Sequence, residues 1–156
     1  MGTEVDAVIA KLIEKSSPVL SKKAKPGDEQ FFRSCLVHLL FSKEELPRPA
    51  NDWLSEELRF PLAKFTSTKP LQEWYFHMIA AELMGGPTFS QWIEGCSKVL
   101  KTLEDEDGLM EHPGPDTCLE KKAFAGSDGQ LYATLMSRLA TSSYYRFLSF
   151  TLRPAP

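Results

Sequence analysis

The spacing of apolar residues along the chain predicts α-helices. The most regular pattern is a run of residues at helical offsets: Phe89, Trp92, Ile93, Cys96, Val99, Leu100 and Leu103. Side chains at such offsets lie on one face of a helix. The segment of roughly 70 to 84 has a similar set, which comprises Leu71, Trp74, Tyr75, Met78, Ile79 and Leu83. The two segments therefore predict a pair of amphipathic helices, the first of them opened by Pro70.

The residues between these two helices predict a tight corner. Gly85 or Gly86 can adopt the left-handed backbone conformation that ends a helix, and Pro87 cannot continue that helix. Thr88 and Gln91 then have the spacing of a capping box, in which each side chain bonds the other residue's amide. We therefore expect the second helix to begin at Thr88.

Two further helices are predicted in the first third of the chain. Thr3 caps the first, which ends at residues 16–18, where two serines precede a proline. Its apolar face consists of Val5, Val8, Ile9, Leu12 and Ile13. Asp28 caps the second, after a basic linker of residues 21–27. Its apolar face consists of Phe31, Phe32, Cys35, Leu36, Leu39 and Leu40, and its polar face of Glu29, Gln30, Arg33 and Ser34.

Prolines and glycines divide the rest of the chain. An extended break at 46–49 precedes a short helix, which Asn51 caps and which ends before Pro61. Residues 104–126 begin with an acidic run and contain a Pro/Gly turn, which together predict a long mobile loop. Ser127 or Asp128 caps a last helix, with the apolar residues Leu131, Tyr132, Leu135, Met136 and Leu139. Residues 144–152 fit either a helix or a strand.

These elements predict an all-α fold. We expect a single helical domain of residues 1–156, a bundle of five or six helices with Pro/Gly corners and a long acidic loop near 104–126. The chain has 156 residues, 42% of them hydrophobic and 25% charged, as in an average globular domain. A chain of this length buries enough apolar surface to fold without disulfides or a structural metal.

Charge and cysteine content narrow the function classes. A net charge of -3 gives no general attraction to nucleic acid or to anionic membranes. No apolar run approaches the ~20 residues that a membrane span needs. The acidic residues Glu4, Asp6 and Glu14 do not suit a signal or transit peptide, and three widely spaced cysteines do not suggest a disulfide framework. We therefore expect an intracellular protein, in the cytoplasm or the nucleus.

The sequence contains none of the common catalytic motifs. Neither a Gly-x-Ser-x-Gly nucleophile elbow nor a Gly-x-x-x-x-Gly-Lys phosphate loop is present. Cys35 and His38 have the spacing of half a zinc site, but no second pair has the usual ligand spacing. Glu73 and His77 lie four residues apart, whereas di-iron bundles use Glu-x-x-His. The sequence therefore predicts no metal, no cofactor and no enzymatic activity.

The seventeen aromatic residues are the remaining clue. Consecutive rings such as those at 74–76 point in different directions around a helix, so some of them must be exposed or line a cleft. Aromatic residues and Arg are enriched where proteins bind other proteins. The sequence therefore favours a protein–protein interaction module, an adaptor or small subunit whose partner is another protein or its own copy. Its predicted partner-binding residues are Trp53, Trp74, Tyr75, Trp92, Tyr144, Tyr145 and Arg146.

Two alternatives stay open. The first is a helical binder of a hydrophobic small molecule such as a tetrapyrrole or a lipid, with His77 or His38 facing the cavity. The second is an enzyme whose acid and base groups are dispersed along the chain, with Glu73 and His77 as an example of such a pair.

Overall fold

The computed structural model describes residues 2–42, 44–59, 71–111, 126 and 128–139, and this part of the chain confirms the all-α fold class. The six helices of the described residues are α1 (Gly2–Leu20), α2 (Glu29–Phe41), α3 (Arg48–Glu57), α4 (Leu71–Met84), α5 (Gly86–Leu103) and α6 (128–139). The chain forms two compact units, Met1–Arg59 with α1 to α3 and Phe60–Pro156 with α4 to α6. A single domain of residues 1–156 stays a prediction.

In the first unit, α1 packs against α2, and α3 packs against α2. Asp28 caps α2 as predicted, since its Oδ1 accepts a hydrogen bond of 3.0 Å from the amide of Phe31. Two residues of this helix differ from the prediction: Ser34, expected on the polar face, is buried, and Leu40, expected on the apolar face, is exposed. The buried apolar residues of this unit are Leu20, Phe31, Phe32, Cys35, Ala50, Leu54 and Leu58.

The first helix continues past the predicted stop at 16–18. Pro18 lies inside α1, which ends only at Leu20. The hydroxyls of Ser16 and Ser17 both donate to the carbonyl oxygen of Ile13, at 2.9 and 2.8 Å, in the turn that precedes the proline. Leu20, one turn further on, is buried. Burial of this last turn offsets the hydrogen bond that a proline removes from a helix.

The third helix begins three residues before the predicted cap. It starts at Arg48, with Pro47 as the N-cap and Pro49 in the first turn. A proline in the first turn removes an amide that has no helical acceptor, so its fixed φ favours a helix start. The helix ends at Glu57, before Pro61, as predicted.

The basic linker is bound to α3 by two hydrogen bonds. The indole Nε1 of Trp53 donates to the carbonyl oxygen of Lys25 at 3.1 Å, and the amide of Gly27 donates to Oε2 of Glu57 at 3.0 Å. The ring of Trp53 also contacts Phe31 edge-on, with centroids 4.8 Å apart. Trp53 therefore joins three parts of the first unit.

In the second unit, α4 packs against α5. The large apolar faces that the sequence predicts for these two helices form the core. Trp74 and Met78 on α4, and Trp92 and Cys96 on α5, are fully buried. Further buried apolar residues of this unit are Leu71, Ile79, Ala80, Ala81, Val99, Leu100, Met110 and Ala133.

The corner between α4 and α5 lies where the sequence predicts it, but the predicted capping box is wrong. Gly85 has φ 65° and forms both caps: its amide donates to Ala81 at 2.9 Å, and its carbonyl accepts from Phe89 at 3.3 Å. The second helix begins at Gly86, with Pro87 in its first turn and no side-chain cap bond. Thr88 therefore lies inside α5. Gly85 and Gly86 both have positive φ, at 65° and 53°, so the corner lies at the glycines and the helix starts before the box.

The acidic run after α5 forms a hydrogen-bonded turn. Asp105 Oδ1 accepts from the amides of Asp107 and Leu109, at 3.0 and 2.8 Å. The amide of Met110, whose side chain is buried, donates to Oγ1 of Thr134 on α6 at 2.9 Å. This turn therefore ties the end of α5 to α6. The rest of the predicted loop, residues 112–125, lies outside the described residues, and the loop's mobility stays a prediction.

An ion pair compensates the negative charge at the C-terminal end of α5. Glu104 is the C-cap of this helix, where the helix dipole disfavours a negative charge. Its Oε1 lies 2.6 Å from Nη2 of Arg138 on α6. The guanidinium compensates the unfavourable position, and it adds a second connection between α5 and α6.

The last described helix follows Gly126, which accepts its first amides. Of the two predicted caps, Asp128 lies inside the helix and Ser127 lies outside the described residues. Gly126 has φ 69°, and its carbonyl accepts from the amides of Gly129 and Gln130, at 3.0 and 3.2 Å. The ambiguous segment 144–152 lies outside the described residues.

Candidate docking surface

The predicted partner-binding residues occupy different environments. Trp53 and Tyr75 are half-buried, whereas Trp74 and Trp92 have no exposed surface. Both indoles therefore lie in the core of the second unit rather than face solvent. Tyr144, Tyr145 and Arg146 lie outside the described residues. The role of these seven residues in binding a partner stays a prediction.

The run of three consecutive aromatic residues on α4 spreads around the helix as expected. Trp74 points into the core, Tyr75 is half-buried, and Phe76 is 44% exposed. The rings of Tyr75 and Phe76 meet edge-on, with centroids 5.7 Å apart and planes at 63°. This pair is a small aromatic patch on the second unit.

The two candidate ligand-binding histidines are both buried. His38 Nε2 lies 3.0 Å from the carbonyl oxygen of Glu44 and 3.2 Å from that of Glu45. Because carbonyl oxygens only accept, Nε2 carries the proton and donates. His77 is buried on α4. Neither belongs to a group of three or more metal-ligating side chains within the described part of the chain. Their role toward a small molecule stays a prediction.

His38 is expected to stabilise the connection between α2 and α3. His38→Ala removes the only side-chain donor that the described residues direct at the carbonyls of Glu44 and Glu45, so we expect the free energy of unfolding to fall by about 1–3 kcal/mol. Urea unfolding followed by circular dichroism measures this loss. The control is Gln30→Ala, an exposed side chain on the same helix, with an expected change within about 0.5 kcal/mol. Equal stability of the two variants would contradict the role of His38.

Burial shifts the pKa of three titratable groups among the described residues. Burial raises the pKa of the Cys35 and Cys96 thiols to about 12, because a thiolate is poorly solvated there. Both cysteines are therefore inert packing residues. Burial also raises the pKa of Glu82 on α4, and its Oε2 has no hydrogen-bond partner among the described residues.

Among the described residues of the first unit, the most exposed aliphatic side chains lie on α1. Val5 is 59% exposed, Val8 58% and Leu12 40%. Their spacing of three and four residues places them in one row, which we call the α1 stripe. The adjacent row, from Ile9 and Ile13 to the buried Ser16 and Leu20, packs toward α2. The apolar face of α1 is thus wider than the part that α2 covers.

Charged residues line the open side of the α1 stripe. Glu4, Lys11 and Lys15 are exposed and lie seven and four residues apart, so they form one row beside the stripe. The row is acidic at its first end and basic at the other. The sequence predicts the apolar face of α1 but not which part of it a neighbour covers; the width of the face was the signal that part of it would stay uncovered.

Elsewhere in the part of the chain that the structure describes, exposed aliphatic and aromatic residues form smaller groups. Leu131 and Leu135 lie four residues apart on α6, and Leu40 and Phe41 end α2. Each group offers two adjacent side chains, whereas the α1 stripe offers three along two turns of helix.

Comparison with known protein families, with curated proteins and with solved structures finds no match to this chain. Among the described residues, no helix combines the length and the apolar character needed to cross a membrane.

Proposed function

We propose that this protein is a non-enzymatic protein–protein interaction module, and that the α1 stripe docks against an apolar helix face of its partner. The observation that carries the proposal is the exposure of Val5, Val8 and Leu12 in one row of a regular helix. Full burial of one such side chain contributes about 1.5–3 kcal/mol, so covering the row is favourable. Rows of anchors at such spacings are how amphipathic helices dock on partners.

The charges of α1 favour a protein as the partner. Helices that lie on membranes carry a polar face rich in Lys and Arg. The polar residues of α1 instead mix Glu4, Asp6 and Glu14 with Lys11 and Lys15. Such a surface gains nothing from anionic lipid or from phosphate, whereas mixed charges around an apolar centre are the usual composition of a protein interface.

Site-specific photo-crosslinking in the cells of origin tests this proposal. A benzophenone amino acid in place of Val8 is expected to form covalent adducts with protein. The control is the same group in place of Ala10, an exposed residue on the opposite side of α1. Adducts from position 8 and few from position 10 support docking on the stripe. Equal yields from both positions, or none from position 8, would rule it out.

A further inference from the structure

The charge row beside the α1 stripe has a direction. Glu4 stands at its first end, and Lys11 and Lys15 stand at the other. When two copies of such a helix lie side by side and antiparallel, a two-fold axis perpendicular to both helices relates them. With that symmetry, the charge rows of the two helices lie on the same side of the pair and next to each other. The residues of one row run in the opposite direction to those of the other. The acidic end of one row then faces the basic end of the other.

The positions along the helix also match. If the axis passes midway between Val8 and Ile9, Val5 of each copy lies opposite Leu12 of the other. Glu4 of one copy then lies between the levels of Lys11 and Lys15 of its partner, about 3 Å along the axis from each at 1.5 Å per residue. A parallel pair would place this charged row against the other side of the partner helix and would lose the complementarity.

We infer that the partner of the α1 stripe is a second copy of this chain, paired antiparallel through α1. This inference rests on the proposed docking role of the stripe. The aliphatic rows cover each other at the centre, and Glu4 pairs with Lys11 and Lys15 at both ends. Antiparallel helix dipoles add to the complementarity.

The size of the contact sets the expected strength. Stable interfaces bury about 800 Å² per partner, and three half-exposed side chains with their charged neighbours provide less. The dimer is therefore expected to be weak, with a dissociation constant between about 10 µM and 1 mM. Sedimentation of the full chain over this concentration range measures it.

Substitutions in the stripe and in the charge row test the interface. Val8→Asp is expected to abolish self-association, and Ala10→Asp, on the opposite side of the helix, is expected to leave it unchanged. Both positions are exposed, and circular dichroism verifies that both variants fold. Glu4→Lys and the double variant Lys11→Glu/Lys15→Glu are each expected to self-associate at least about fivefold more weakly. An equimolar mixture of these two is expected to form a heterodimer.

Disulfide trapping tests the orientation. In a Cys118→Ser background, Val5→Cys mixed with Leu12→Cys is expected to give a mixed disulfide. Val5→Cys alone is expected to give little, because two copies of residue 5 lie about 10 Å apart along the antiparallel axis. A disulfide requires Cα atoms within about 7 Å. Efficient trapping of Val5→Cys with itself would overturn the antiparallel arrangement.

The outcomes separate this inference from the proposed function. A chain that stays monomeric up to about 1 mM overturns the self-pairing, and so does a heterodimer that fails to form from the charge variants. If position 8 still crosslinks to other proteins, the proposed docking role stands and only the identity of the partner is wrong. If neither self-association nor crosslinking occurs, both proposals fail.

Discussion

Trp92→Ala is expected to lower the free energy of unfolding by about 3–5 kcal/mol. Trp92 has no exposed surface and lies on α5, which packs against α4 in the core of the second unit. Removal of the indole leaves a cavity in the core of the second unit. Alanine makes no new contact that compensates for the lost packing. Because whole domains are stable by only about 5–15 kcal/mol, this loss is a large fraction of the total. Chemical denaturation followed by circular dichroism measures it.

Two variants make the Trp92 prediction specific. Trp92→Phe keeps an aromatic ring in the site and is expected to lose clearly less stability than Trp92→Ala. Ile93→Ala, at the half-buried neighbouring position, is also expected to lose less. If Trp92→Ala unfolded at the same denaturant concentration as the original chain but failed to bind a partner, Trp92 would be an interface residue, as the sequence suggests, and its buried position would be wrong.

The sequence was sufficient to predict α4 and α5, because both helices carry long apolar rows at helical spacing. The same rows also predict that Trp74 and Trp92 face a core. Their assignment to a partner surface came from a different argument, that so many aromatic rings cannot all be buried. In the structure Phe76 is an exposed aromatic ring of this kind, whereas Trp74 and Trp92 are buried. The argument therefore does not require the two tryptophans to be exposed.

The ends of the helices were harder to predict, because local signals compete there. Thr88 and Gln91 have the spacing of a capping box, but the left-handed Gly85 and the first-turn Pro87 start the helix earlier. Pro18 signals the end of a helix, but the burial of Leu20 extends α1 by one turn past the serines. In both cases a neighbouring backbone conformation or a distant packing contact outweighs the local preference. The sequence predicts the competing signals, but it does not show which of them prevails.

The exposure of the α1 stripe could not be predicted from the sequence, because it also depends on packing between helices. Periodicity shows that Val5, Val8 and Leu12 share a face with Ile9 and Ile13, but it does not show how much of that face a neighbour covers. The coverage depends on where α2 crosses α1. Only the structure shows that α2 covers the side with Ile13 and leaves Val5, Val8 and Leu12 exposed.

Cys35 and Cys96 are expected to react about 1000-fold more slowly with iodoacetamide in the folded protein than in the unfolded chain. Burial raises the pKa of each thiol from 9.0 to about 12, and only the thiolate reacts. A rise of three pKa units lowers the thiolate fraction near pH 8 by about 1000-fold. Peptide mapping by mass spectrometry, with and without denaturant, measures the two rates at each cysteine.

A cysteine at an exposed position on α5 provides the control for this labelling. Ser90→Cys lies on the same helix as Cys96 but faces solvent, so it is expected to react at the rate of a free thiol. If Cys35 or Cys96 reacted as fast as this control, the packing of its helix against the core would be wrong.

The raised thiol pKa values also fix how stability depends on pH. Above about pH 9 the thiols of the unfolded chain lose their protons, while the buried thiols keep theirs up to about pH 12. The folded state then binds more protons than the unfolded state, so the contribution of both cysteines to stability falls as the pH rises through this interval. Below pH 9 both thiols are protonated in the folded and in the unfolded state. In that range the two thiols contribute no pH dependence to the free energy of unfolding. The free energy of unfolding of a Cys35→Ala/Cys96→Ala variant is therefore expected to fall less between pH 8 and pH 11 than that of the original chain. Denaturant unfolding of both proteins across this pH range measures the difference.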